Sequence, residues 1–534
     1  MTAIDSDSVA VPKLPTTRNL VQHAYERGDL NELARLINER PLEVWFAFTG
    51  SELSAIISVI PEDMRSANTA ISSFNVLLHG GEVPGVDWAG QVSDQEETTE
   101  DKHGNARLLI ASLYHRARGQ VRKAAMLNRS HPRDPSRSSL IDPFHGRDLF
   151  LAVQSGITEM LMGDYQRALT HFTSAELLST KPELRFLLRD ANAKAALIHA
   201  LFGDHYTAQT LVKRAANLSR TESWAERGID ATIALVRILL KREFAAQTSA
   251  TRQLDEIPLH DLGEMWPFYI IAMHRLYLVS GRNEEFIARI RLLEQAAFPR
   301  TAGEGVPGTV FPATIAVSAL LLGRTDFART VIEEADPGVP NTQIVLGLFA
   351  LHSGDFAEAI RLQQALEPET HSLRQLEISR SLILATALLE SGDQEGAEAQ
   401  VARLIQRMGD LGVHELFLVG PEIRELIDRQ LAARRDESGP GLGAMAIGVA
   451  EASRDAASSS ASGRAAHVIR LTPRESDVLR LCRRGLRRTE IAERLGISLN
   501  TVKTHQRGLF KKLQVRSMRE LLEESERLGL VGQQ

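Results

Sequence analysis

Cysteine is almost absent from the 534-residue sequence, since Cys482 is the only one. A single cysteine excludes an internal disulfide framework and a cysteine-based zinc site, and it fits a reducing cytoplasm. Aromatic side chains are also scarce, at 5%. This scarcity argues against an aromatic-rich β-sandwich and favours helices packed on helices. The sequence therefore predicts an all-α protein.

Long hydrophobic runs are missing as well. The longest uncharged run, residues 305–323, contains Pro307 and Pro312. Its apolar part, residues 310–322, is shorter than the roughly 20 residues that a membrane-spanning helix needs. We expect a loop followed by a buried helix there. The first twenty residues lack the apolar segment of a secretory signal. We therefore expect a cytoplasmic protein that makes no membrane contact.

The usual signatures of catalytic sites are lacking too. There is no Gly-Lys dipeptide, which excludes a P-loop, and no GxSxG, CxxC or pair of histidines at ligand spacing. Gly303, Gly305 and Gly308 match GxGxxG, but they follow a predicted helix rather than a strand. His414 starts a zincin-like HE pair without the second histidine. We expect neither an enzyme nor a bound cofactor or metal.

Charge is distributed unevenly along the chain. Residues 464–534 contain 16 Lys/Arg and 8 Asp/Glu, a net charge of +8. The preceding 463 residues contain 46 basic and 60 acidic side chains, a net charge of −14. A basic segment attached to an acidic body suggests a polyanionic partner for that segment alone. Charge by itself does not separate this interpretation from a merely solvated basic surface.

A unit of about 40 residues recurs in the acidic part. Its clearest copies are LMGDYQRAL (161–169), LFGDHYTAQ (201–209), LLGRTDFAR (321–329), LHSGDFAEAI (351–360) and LESGDQEGAE (389–398). Lys241 stands where one glycine of the series is missing. The glycine that marks each unit occurs at Gly28, Gly80, Gly119, Gly163, Gly203, Gly281, Gly323, Gly354 and Gly392.

This period predicts antiparallel helical hairpins that stack side by side. Glycine suits the left-handed conformation that ends a helix, and the alanine that follows lets two helices approach closely. Such hairpins stack into a curved superhelix with an extended concave surface. The pattern resembles tetratricopeptide-like repeats. We place this region at residues 1–434, and a flexible Gly/Ser/Ala-rich linker at 435–468.

The remaining segment, residues 469–534, predicts four short helices. Thr472, Pro473 and Glu475 form a helix start that Gly485 later ends. The second helix is expected at residues 490–495. Ser498 is placed to cap a third helix at residues 499–513, and Ser517 with Glu520 opens a fourth. Helix, glycine-containing turn and helix is the helix-turn-helix arrangement.

The third helix has two contrasting faces. Val502, Leu509 and Leu513 are predicted to point inward. The outward face is cationic and rich in hydrogen-bonding groups, as suits the major groove of DNA. It carries Asn500, Lys503, Thr504, Arg507 and Lys511.

The segment LTPRESDVLRLCRRGLRRTEIAERLGISLNTVKTHQRGLFKKLQVRS resembles the LuxR-type (LuxR/FixJ) DNA-binding domain, over roughly residues 467–530. The resemblance implies promoter binding as a homodimer, with RNA polymerase as a possible partner. It also implies dimer contacts through the fourth helix, at Leu521, Leu522 and Leu528. The residues that it assigns to DNA contact are Arg488, Thr489, Ser498, Asn500, Thr501, Lys503, Thr504, Arg507 and Lys511.

Two departures from the LuxR-type pattern concern helix stability. Arg487 stands where the family usually has a capping Ser or Thr, so the second helix should be less well capped unless Thr489 substitutes. Gly508 lies inside the third helix, at a cost of about 1 kcal/mol relative to alanine.

The helical repeats before this domain are similar to those of the large ATP-binding LuxR regulators, without their nucleotidase domain. This similarity favours a bacterial, nucleoid-associated transcription regulator whose repeats receive a peptide, protein or small ligand and control the DNA-binding domain. The alternative is a repeat scaffold for protein–protein interaction that its basic C-terminal domain merely tethers to DNA.

Overall fold

The structure is a computed structural model. It describes residues 16–79, 104–129, 146–178, 181–241, 247–296, 303–408, 420–438, 473–483, 486–495, 497–513, 515 and 517–527. Every regular element within these ranges is a helix, which confirms the all-α prediction.

The first six helices form a small bundle around one hydrophobic core. Val21, Leu33, Ile37 and Ile57 are fully buried in it. Thr49 caps the fourth helix reciprocally with Glu52. The helices are α1 (Thr17–Glu26), α2 (Leu30–Glu39), α3 (Pro41–Ala47), α4 (Gly50–Ser58), α5 (Glu62–Ala67) and α6 (Thr69–His79).

A longer series of helices follows, and most of it shares a second and larger core. Two 3₁₀ turns, Pro182–Leu184 and Gly263–Met265, interrupt it. The helices are α7 (Gly104–Ala117), α8 (Val121–Arg129), α9 (Arg147–Met162), α10 (Tyr165–Glu176), α11 (Phe186–Phe202), α12 (His205–Asn217), α13 (Glu226–Leu239), α14 (Gln247–Asp255), α15 (Leu259–Leu262), α16 (Trp266–Val279), α17 (Asn283–Ala296), α18 (Gly305–Leu321), α19 (Thr325–Ile332), α20 (Pro340–Ser353), α21 (Phe356–Ala365), α22 (Glu367–Thr370), α23 (Arg374–Glu390), α24 (Gln394–Met408) and α25 (Pro421–Ser438).

Successive helices pack against each other as hairpins. The pairs are α1/α2, α7/α8, α9/α10, α11/α12, α13/α14, α16/α17, α18/α19, α20/α21 and α23/α24. The predicted turn glycines lie between the partners and have φ between 66° and 94° at Gly28, Gly119, Gly163, Gly281, Gly323, Gly354 and Gly392.

The Gly-Asp pair of the repeat forms both ends of such a turn. At Gly354 (φ 79°) the first helix ends, and the N–H of Asp355 donates to the Ala350 carbonyl at 2.9 Å. The Asp355 carboxylate then accepts the N–H of Glu358 at 3.1 Å and caps the second helix. Left-handed glycine and N-cap aspartate therefore satisfy backbone groups that the two helix ends leave open.

Two of the predicted turn glycines do not show the left-handed geometry, one because its φ differs and one because it is not described. Gly203 has φ −114° and is not left-handed. A Cβ there would lie 2.6 Å from Nδ1 of His199, so a larger residue would displace that imidazole. Gly80 lies outside the described residues. Lys241 lies between α13 and α14, as its place in the series predicts.

The alanine of the repeat is buried in the five clearest copies. Its side chain has no exposed surface in five copies. A methyl group at this position lets the second helix approach the first closely, as the pattern predicts. The five alanines are Ala168, Ala208, Ala328, Ala359 and Ala397.

The loop expected at the start of residues 305–323 is wrong. α18 begins at Gly305, and 16 of its 17 residues are buried. Pro307 lies in the first turn, where a missing N–H breaks no helical hydrogen bond. Pro312 lies inside the helix, and burial on all sides outweighs its cost. In the part of the chain that the structure describes, no helix is long and apolar enough to cross a membrane.

Hairpins that are distant in sequence also contact one another. Tyr165 donates its hydroxyl to Asn341 at 3.0 Å, so the second helix of the α9/α10 hairpin reaches the start of α20. The N–H of Arg122 donates to Glu304 at 3.0 Å, next to the start of α18. Contacts between neighbouring repeats alone do not account for these links. The tetratricopeptide-like character and superhelical course of the region stay predictions.

The C-terminal segment folds into four helices with their own core. They are α26 (Pro473–Arg483), α27 (Arg488–Leu495), α28 (Leu499–Leu513) and α29 (Met518–Arg527). α28 packs against each of the other three. On the N-terminal side, α25 ends at Ser438 and so continues past the predicted linker boundary at residue 434.

Candidate nucleic-acid interface

Two hydroxyl side chains hold the N-terminus of α28, the predicted recognition helix. Ser498 begins the helix as predicted, and its hydroxyl oxygen accepts the N–H of Thr501 at 3.1 Å. The two side-chain hydroxyls lie 2.7 Å apart. Ser498 and Thr501 therefore stabilise the first turn of α28, which is the end of a recognition helix that normally contacts base edges.

The side chains of α28 separate into the two predicted faces. Val502, Leu509 and Leu513 are buried in the domain core. Lys503, Thr504 and Arg507 are exposed and occur at the spacing of one helical face. His505 and Thr501 are half-buried. The side chains of Asn500 and Lys511 lie outside the described part of the structure.

The start of α27 differs from the sequence expectation. The helix begins at Arg488 rather than at Glu490, and Thr489 is exposed. The backbone N–H of Arg487 donates to the Glu490 carboxylate at 2.6 Å. Half of a capping box is thereby present without a capping Ser or Thr, because the N3 carboxylate takes a backbone donor that the helix leaves open.

A buried glutamine that the sequence analysis did not identify connects α26, α27 and α28. Gln506 is only 3% exposed. Its side-chain oxygen accepts a hydrogen bond from Nε–H of Arg488 at 2.6 Å, and its side-chain nitrogen donates to the Cys482 sulfur at 3.3 Å. Arg488, predicted to contact DNA, is therefore held against the recognition helix while remaining exposed. A polar residue at an inward helical position was the available signal.

Cys482 belongs to the core of the domain. Burial raises the pKa of its thiol, against the opposing effects of the Gln506 hydrogen bond and the Arg488 charge. The thiol is therefore uncharged at neutral pH, as expected of a small buried apolar residue.

Gly508 has a packing role that its helix propensity does not suggest. A Cβ at this position would lie 2.6 Å from the nearer carboxylate oxygen of Glu475. Glu475 is 6% exposed, so its carboxylate lies over α28. The predicted cap that Glu475 would form with Thr472 is not tested, because Thr472 lies outside the described residues. Gly508 makes room for an acidic side chain from α26.

The fourth helix begins as predicted. Ser517 accepts the N–H of Glu520 at 3.2 Å and donates its hydroxyl to the Glu520 carboxylate at 2.9 Å. Of the leucines predicted to contact a second subunit, Leu521 is fully buried in the domain core and Leu522 packs partly against it. Leu528 lies outside the described residues.

The glycine-rich motif in the repeat region forms a packed helix start. The N–H of Gly305 donates to Oδ2 of the buried Asp336 at 2.7 Å, so a side chain of this chain binds the helix N-terminus. A Cβ at Gly305 would lie 2.4 Å from the Leu161 carbonyl oxygen, and one at Gly308 would overlap the backbone of Gly303. The glycines permit close packing there. The HE pair at His414 lies outside the described residues.

These four helices, with a capped third helix that exposes lysine, threonine and arginine on one face, define a helix-turn-helix DNA-binding domain. Residues 470–524 match the family model of the bacterial regulatory proteins of the luxR family. The C-terminal segment is thus a LuxR-family helix-turn-helix domain, and the chain carries the DNA-binding module of a transcription regulator. A search of the curated proteins found no match to the chain.

Proposed function

We propose that this protein is a sequence-specific, non-enzymatic transcription regulator that reads promoter DNA through α28. The observation that carries the proposal is the exposed row of Lys503, Thr504 and Arg507 on a helix whose opposite face is buried. Arginine and lysine on a recognition helix make bidentate contacts with guanine, and threonine contacts several bases. We assign base contacts to these three residues.

Contacts with the DNA backbone would come from the start of α27 and from further residues of α28. Arg488 is exposed at the first position of α27 and is held by Gln506. We assign phosphate contacts to Arg488, Thr489 and Thr501, and by sequence position to Asn500 and Lys511. Phosphate contacts fix the register of the domain on the duplex and make binding strongly dependent on salt.

Dimerisation and effector control complete the proposal. We expect a homodimer that matches two half-sites, with α29 contributing to its interface through surface residues. Because Leu521 is part of the domain core, Leu522 and Leu528 are the better candidates among the predicted contacts. The hairpins before the domain would form a tetratricopeptide-like receptor for an effector, in a cytoplasmic, nucleoid-associated bacterial protein that acts on RNA polymerase.

The test is the double substitution Lys503→Ala with Arg507→Ala in the full-length protein. Each lost base contact should cost about 1–3 kcal/mol at the specific site. Genomic fragments selected by the wild-type protein should therefore lose their footprint, and transcription from the linked promoters should change. A double variant of equal charge change, Arg480→Ala with Arg494→Ala, is the matched control, because both arginines are exposed on other helices. Unchanged transcription with K503A/R507A would favour the alternative of a DNA-tethered scaffold.

A further inference from the structure

A cavity of about 290 Å³ lies between the last two helical hairpins, among α21, α22, α23 and α24. Its floor contains buried side chains of α23 and α24, including Ser381, Leu384 and Gln400. Its rim contains the exposed side chains of Gln364, Glu367 and Arg403. The volume suits a ligand at the small end of the range usual for small-molecule sites. The lining is more polar than is usual for such sites, so a ligand here would have to be polar itself.

The charges in the floor neutralise each other. The buried Arg380 donates to both carboxylate oxygens of Glu377, at 2.6 and 2.9 Å. Thr370 and Ser381 donate to the same carboxylate at 2.8 and 3.2 Å. With four donated hydrogen bonds, this ion pair is satisfied within the protein and needs no charged ligand.

The rim of the cavity carries one acidic and one basic side chain, which differ from the ion pair of the floor. Glu367 and Arg403 are exposed, and neither forms an ion pair with any residue that the structure describes. Toward the residues that the structure describes, the guanidinium of Arg403 donates once, to the Gln400 side-chain oxygen at 2.8 Å. Gln400 in turn donates to Ser381 at 3.1 Å. A guanidinium has five N–H donors, so most of its capacity is left for a ligand.

We propose that this cavity binds a small zwitterion of the size of an amino acid with a polar side chain. Its carboxylate pairs with Arg403 and its ammonium group pairs with Glu367. The polar side chain of the ligand reaches Ser381 and Gln400, while Leu384 and Leu404 contact its aliphatic part. Guanidinium recognises carboxylate bidentately, and a rim with one charge of each sign disfavours ligands that carry only one of them.

The cavity is linked through packing to α25. Leu404 lines the cavity and belongs to the core in which α24 packs on Ile423 and Ile427 of α25. Gln430 of α25 donates to the Glu398 carbonyl of α24 at 2.9 Å. α25 is the last described helix before the DNA-binding domain. The inference rests on the proposed function, and it assigns the effector site to the cavity between the last two hairpins.

The experiment is calorimetric titration of the full-length protein with the standard amino acids. For the tightest ligand, its carboxamide and its N-acetyl derivative serve as probes that lack one charge each. We expect both derivatives to bind at least about tenfold more weakly, as for the loss of one close charge pair. Arg403→Met should weaken the amino acid by a similar factor and abolish its advantage over the carboxamide. Glu367→Gln should likewise weaken binding of the amino acid and abolish its advantage over the N-acetyl derivative.

Arg361→Met is the matched control, since Arg361 is an exposed arginine of α21 that pairs with Glu358 outside the cavity. It should leave binding unchanged. Failure of every amino acid to bind, or binding that both rim substitutions leave intact, would overturn the inference. Promoter binding measured on the same samples separates the two proposals. Intact DNA binding without amino-acid binding removes only the cavity assignment, whereas the reverse result removes only the proposed function.

Discussion

The hydrogen bond between Gln506 and Arg488 leads to a prediction about DNA affinity. Gln506→Leu keeps the buried volume but removes the acceptor that holds Arg488 at 2.6 Å. The arginine must then be ordered when DNA binds, at a cost of about 1 kcal/mol for one long side chain. We expect the dissociation constant for a specific fragment to rise by about fivefold. The salt dependence should be unchanged, because the phosphate contact is still made.

Arg488→Met removes the contact itself, and it should lower the salt slope of log K by about 0.9. In the Arg488→Met background, Gln506→Leu should have no further effect on affinity. Fluorescence anisotropy at several salt concentrations measures all four proteins of the cycle. If Gln506→Leu is equally costly with and without Arg488, the glutamine acts through core packing, and the positioning role assigned to it is refuted.

Three further predictions concern the repeat region. Gly392→Ala should lower the free energy of unfolding by about 1–2 kcal/mol, because φ is 94° and alanine disfavours the left-handed conformation. A Cβ there would contact no other atom, so the whole cost comes from the backbone, and an unchanged chemical denaturation curve would contradict this. Glu226→Gln should cost about 1.5–3 kcal/mol, because the buried Arg189 guanidinium loses its charge-assisted hydrogen bond to Glu226 and keeps Asp230, at 3.0 Å, as its anionic partner; a shift no larger than that of the exposed Glu358→Gln would exclude this role. Burial lowers the pKa of His274 from its ordinary value of 6.5 to about 3. Between these two pH values, His274 is protonated in the unfolded chain and neutral in the folded protein. Stability should therefore fall as pH decreases through this window, by about 2 kcal/mol between about pH 7.5 and about pH 5, and the fall should be smaller in His274→Gln.

Local chemistry made the turns and the DNA-binding helices predictable. The Gly354-Asp355 turn needs only a residue tolerant of positive φ and a side chain that caps the next helix, and both requirements are visible within two positions. α28 likewise has the predicted bounds, because Ser498 caps it and its inward side chains recur at helical spacing. The exposed faces of short helices follow from the same periodicity.

Tertiary structure decided the features that depend on residues far apart in the chain. Only the folded structure brings Asp336 to the start of α18, Glu475 over Gly508, and Gln506 to Arg488. α18 continues through Pro312 because burial on every side outweighs a local helix-breaking preference. The sequence by itself thus determined the helical hairpins and the cationic face of α28, since these follow from interactions within a few residues. Contacts between distant parts of the chain decided which polar groups are buried together, because the partners lie on helices that are far apart in the sequence.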